Sequence, residues 1–114
     1  MSDTHYHREG STDYIIIDLL DDNEAYDISA VDHVELILKP STGAAVTFTS
    51  AAGSPKLFIT DGANGELELR PAATDFDAEQ GPYKGYVKVY ITSTRWASFP
   101  NHDEIIIDVR PNLS

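Results

Sequence analysis

From residue 13 onward the chain alternates in twos. Val34, Leu36 and Leu38 alternate with Glu35, Ile37 and Lys39 until Pro40, the pattern of a half-buried strand closed by a residue that cannot donate to a ladder. Residues 14–20 predict a strand whose unbroken Ile15-Ile16-Ile17 core suggests burial on both faces. Shorter extended pieces follow at 25–28, 46–49, 57–59 and 67–69. They are separated by Asp21-Asp22-Asn23-Glu24, Ser41-Thr42-Gly43, Ala51-Ala52-Gly53-Ser54-Pro55 and Asp61-Gly62-Ala63-Asn64-Gly65. The last of these has two glycines able to take positive φ. The longest strand spans 83–92. There Tyr83, Gly85, Val87, Val89 and Ile91 face one way, and Lys84, Tyr86, Lys88 and Tyr90 the other. A loop with Trp96, Phe99 and Pro100 leads to a final strand at 104–110. Residues 74–80 could make one helical turn, capped by Thr74 or Asp75.

Seven or eight short strands, with turn signals about every 8–12 residues and no amphipathic helix, predict an all-β fold: an antiparallel β-sandwich or small barrel. Residues 1–12 fall outside the alternation and are expected to form a flexible N-terminal arm, leaving residues 13–114 as the sandwich domain.

Composition narrows the function more than the fold. A length of 114 residues fits one domain. With no cysteine, a disulfide scaffold and a Cys-ligated zinc or iron–sulfur site are excluded. Eight Lys and Arg against 19 Asp and Glu, a formal charge of -11, repel a phosphate backbone, and no local run of basic residues offsets this. No apolar stretch approaches the ~18 residues a spanning helix needs. The start, Met1 to Arg8, lacks a basic segment followed by an apolar one, so no secretory signal is expected.

Candidate chemistry is sparse. His5 and His7 could set two imidazoles on one side of a strand, but the segment reads better as solvated arm. Asp21, Asp22, Glu24 and Asp27 could share a calcium loop, yet the Asp-x-Asp-x-Asp-Gly spacing is missing. A solvated acidic loop is the simpler reading, and no metal or cofactor is expected. Carboxylate pairs such as Asp75/Asp77 or Asp103/Glu104 could in principle work as acid and base. No nucleophile, phosphate-loop or zinc-protease motif accompanies them. His33 and His102 are isolated. No enzyme is expected. Aromatic residues supply the one interaction hint: Tyr86 and Tyr90 share an outward strand face with Lys84 and Lys88, and Trp96 and Phe99 follow on the next loop. Such a face suits an acidic neighbour, including another copy of this chain.

A resemblance carries the reading further. Gly81-Pro82-Tyr83-Lys84-Gly85 puts a Tyr at the start of the penultimate strand, where immunoglobulin-like domains carry a tyrosine corner, with Gly85 where an antibody domain has its second Cys. Other stretches are Ile17-Asp18-Leu19-Leu20-Asp21, Tyr26-Asp27-Ile28-Ser29-Ala30, Val34 to Lys39, Asp61 to Leu67, Phe99-Pro100-Asn101 and Ile105 to Pro111. In that order, over residues 13–113, the chain resembles the immunoglobulin-like domains of tailed bacteriophages, those at the N-terminus of baseplate upper proteins. The resemblance implies an immunoglobulin-like sandwich and a non-catalytic virion protein assembled in the host cytoplasm, acting in a tail, baseplate, neck or capsid decoration. Its partners would be other virion proteins and itself, as a trimer or hexamer. Because the sequence stops just after the last strand, an adaptor role is expected, with host binding left to a partner. The alternative on the same architecture is a carbohydrate- or calcium-binding module, with Trp96, Tyr86 and Tyr90 as sugar platform and the 21–27 loop as cation site.

Overall fold

The computed structural model describes residues 3–21, 24–51, 55–99 and 105–111. The strands are β1 (Asp3–Arg8), β2 (Ile15–Asp18), β3 (Leu20–Asp21), β4 (Glu24–Ala25), β5 (His33–Pro40) and β6 (Val46–Thr49). After them come β7 (Leu57–Asp61), β8 (Glu66–Leu69), β9 (Tyr83–Tyr90), β10 (Trp96–Phe99) and β11 (Ile105–Arg110). The large sheet runs β1-β11-β9-β5-β6, with β10 also on β9; the small sheet runs β2-β8-β7; β3 and β4 form a separate hairpin. Alternation decides which side of each strand meets the other sheet. Val34, Leu36, Leu38, Val87, Val89, Ile105 and Ile107 from the large sheet pack on Ile15, Ile17, Leu57, Leu67 and Leu69 from the small one, all buried. The fold is the all-β sandwich that the pattern predicts. Its strand order is that of an immunoglobulin-like domain, with β2-β8-β7 as B-E-D facing β6-β5-β9-β11 as C′-C-F-G.

Several details differ from the sequence-based expectation. The expected flexible arm contains β1, a parallel edge strand in register with β11 from Asp3↔Ile105 to Arg8↔Arg110, so the pairing is not antiparallel throughout. Its alternation is visible only once His7 is counted as a core residue: His7 is 5% exposed. Nε2 of that ring donates to the Ser11 carbonyl at 3.1 Å, and the ring meets Phe76 edge-on at 5.3 Å. With β10 formed from the expected loop, the two sheets hold nine strands rather than seven or eight. The Ile triplet is buried on one face only, Ile16 standing 42% exposed, because nothing covers the small sheet's outer side among the described residues.

Residues 74–80 make turns, not a helical one. Their side chains take the backbone donors a helix would use. Asp75 accepts from the Ala72 N–H at 2.7 Å and from Lys56 Nζ at 2.9 Å, while Asp77 accepts from the Glu79 N–H at 2.9 Å. The Asp77 N–H donates to the Tyr83 hydroxyl at 3.1 Å, closing the tyrosine corner expected there. Between β7 and β8 the glycine turn is a 3-10 turn over Gly62–Asn64 ended by Gly65 at φ 69°. Only the second glycine of that turn needs positive φ. Its carbonyl accepts from the Leu19 N–H at 2.9 Å, and the Gly62 carbonyl accepts from the Ile28 N–H at 2.7 Å. The turn thereby pins the crossing from the small sheet to the large one.

Candidate functional site

Two constraints build the outer face of the large sheet. Alternation sends Lys84, Tyr86, Lys88 and Tyr90 of β9 away from the core, as predicted, and register then decides what stands beside them. Tyr90 lies between His33 of β5 and Trp96 of β10; Lys88 lies beside Glu35; Tyr86 beside Ile37; Lys84 beside Lys39. Trp96 starts a strand rather than sitting in a loop, and it remains 49% exposed. The Lys88 ammonium sits 4.3 Å from its ring centroid, a cation–π contact. His33 is not isolated: its ring stacks on Tyr90 at 4.3 Å and 12°, and its Nδ1 donates to Asp32 Oδ2 at 2.6 Å. The site is therefore a row of three aromatic residues in register, His33 stacked on Tyr90 and Trp96 beside them with Lys88 over its ring.

The structure thus brings together Lys84, Tyr86, Lys88, Tyr90 and Trp96. Phe99 ends β10 opposite Val87, and its side chain lies outside the described residues. Sequence reasoning missed His33, Lys39, Ile37, Ile106, Tyr6, Arg8 and Arg110 on the same face. The outward phase of Lys39 was readable from its own strand, but which strand lies beside which is a long-range property that alternation does not encode.

The remaining candidates separate. His5 and His7 do share one side of β1, but that side faces the core, opposite Ile107 and Val109. Among the described residues no three His, Asp or Glu gather where a metal ion could be held. Of the acidic loop, Asp22 and the side chain of Asp21 lie outside the described residues. Asp27 is engaged locally: the Ser29 hydroxyl donates to its Oδ1 at 2.6 Å and the Ser29 N–H at 2.9 Å, and these two bonds hold its carboxyl below the usual range. Asp75 and Asp77 are turn acceptors, with Asp75 bridging to Lys56 at 2.9 Å. Asp103, Glu104 and His102 lie outside the described residues.

A second aromatic cluster, not predicted, lies on the small sheet. The Arg70 guanidinium sits 4.0 Å from the Phe58 centroid and 5.0 Å from that of Tyr14, and its Nε donates to Glu68 Oε1 at 2.6 Å. Ile16 and Tyr14 stay exposed beside it. No protein-family model matches the chain, and no curated protein matches it.

Proposed function

We propose that this chain is a non-catalytic structural or adaptor component of a phage particle, working by protein–protein docking through the outer face of its large sheet. The observation that carries the docking half is the Trp96–Tyr90–His33 row. Its rings are exposed or half-exposed and already held by Lys88 and Asp32. Rigid aromatic surface that loses little entropy on contact is what interface centres are made of. The particle half is supported by the order of sequence motifs given above and by the immunoglobulin-like strand order. Peptide mass spectrometry of purified particles from the source lysate tests the proposal, with copy number scaled to the major capsid protein. A few to hundreds of copies per particle are expected, low numbers meaning tail or neck and high numbers decoration. Absence from clean particles overturns it.

A further inference from the structure

We infer that copies of this chain join head to tail, the outer face of one copy's large sheet seating on the outer face of the next copy's small sheet. The inference rests on reading the large-sheet face as a docking surface and names what docks there.

Charge is segregated between the two faces. Of the chain's eight Lys and Arg, five project from the large sheet's outer side: Arg8, Lys39, Lys84, Lys88 and Arg110. Among the described residues Glu35, Asp108 and, at the edge beside His33, Asp32 oppose them on that side. This happens in a chain whose net charge is -11. On the small sheet the outward row reads Asp18, Glu66 and Asp61 across β2, β8 and β7; Glu68 follows along β8 with its carboxylate bonded to Arg70, so three acids of that face stand against no basic side chain in register.

Both faces also set like charges directly opposite one another. Lys39 pairs in register with Lys84 and Arg8 with Arg110 on one sheet; Asp18 pairs with Glu66, and Glu66 with Asp61, on the other. Like-charged residues set directly opposite one another, with Cβ atoms about 5 Å apart, destabilise a sheet, and a face of the opposite sign offsets both rows at once. Apolar contact is available at each: Ile37, Tyr86 and Ile106 are half-buried around the two lysines, and Ile16 and Tyr14 are exposed on the small sheet. A two-fold contact of either face with itself would set like charge on like. The complementary contact is heterologous and closes a ring or extends a filament, as its rotation dictates.

Sedimentation velocity of the full chain over a concentration series tests this, with circular dichroism to verify each variant's fold. The wild-type chain should associate at 50 mM salt and about tenfold more weakly at 500 mM. The double variants K39E/K84E and D18K/E66K should each be monomeric. An equimolar mixture should associate beyond a dimer, since the wild-type pair of faces and the pair with exchanged signs are both complementary between the two variants. The quadruple variant K39E/K84E/D18K/E66K exchanges the signs and should associate again. A wild-type chain monomeric at about 0.5 mM and low salt, folded double variants that still associate, or a mixture that stays monomeric overturns the inference. Particle mass spectrometry separates its failure from that of the virion reading. A monomeric chain found in particles sinks only the head-to-tail contact, and an associating chain absent from particles sinks only the virion role.

Discussion

Gly85 holds the place where an antibody domain would have a bridging cysteine, and its surroundings explain why no side chain stands there. A Cβ built on it would lie 1.7 Å from the Ile37 carbonyl oxygen and 2.7 Å from its carbon. These are backbone atoms of the neighbouring strand and cannot swing aside, so the ladder between β5 and β9 would have to part. Gly85→Ala is expected to destabilise the chain by about 3 kcal/mol or more, at or above the upper end of ordinary overpacking. A urea midpoint within experimental error of wild type would show that the two strands are not so closely apposed. Tyr83 acts through a different term. Its ring is buried against Phe76, centroids 5.0 Å apart, and its hydroxyl takes the Asp77 N–H. Tyr83→Phe keeps the ring and strands that donor, which should lower stability by about 1–2 kcal/mol. A larger loss in Tyr83→Ala than in Tyr83→Phe, read by the same denaturation, separates the packing from the bond.

At the scale of elements, β1 asks whether a parallel edge strand contributes to the sandwich or merely rests on it. It covers one side of β11 and inserts His7 beside Phe76, so removing residues 1–8 uncovers core as well as a ladder. Fully exposing an apolar core side chain such as Phe76 costs about 2 kcal/mol, and a truncated chain that uncovers it should lose up to that in urea denaturation. Unchanged stability would restore the flexible arm. This strand also marks where the sequence stops being legible. β5 and β9 announce themselves by eight-residue alternation, and the glycine turn by its composition. β1 does not, because its inward positions are His5 and His7, polar residues whose burial depends on Phe76 and Ser11 arriving from elsewhere. Ile16 misled in the opposite sense: an Ile triplet carries no information about whether a second layer lies outside it. The docking face was half legible for the same reason, with the phase of Tyr86, Lys88 and Tyr90 local to β9, and His33 and Lys39 brought beside them only by the pairing with β5.

For the whole molecule, charge acts on folding and on association with opposite signs, and salt distinguishes the two. A single copy carries -11 in total and sets Lys39 against Lys84, Arg8 against Arg110 and Asp18 against Glu66. All of these repel, and self-repulsion of this kind destabilises the compact state. Added salt shortens the screening length from about 30 Å at 0.01 M to about 8 Å at 0.15 M. For a dilute, monomeric sample the melting temperature should therefore rise with sodium chloride, the larger part of the rise falling below about 0.15 M. Contacts between opposite charges weaken over the same range, so in concentrated samples association should fall as the salt rises. Binding that favours the folded state adds its own stabilisation. The melting temperature of a concentrated sample should accordingly exceed that of a dilute one at low salt, and the gap should close as salt increases. Scanning calorimetry at two protein concentrations and several salt concentrations measures both slopes. A melting temperature that falls with salt in the dilute sample would mean that attractive pairs such as Lys56–Asp75 and Arg70–Glu68 outweigh the repulsive rows. A gap that persists at high salt would mean that the aromatic surface, and not the charge, holds the copies together.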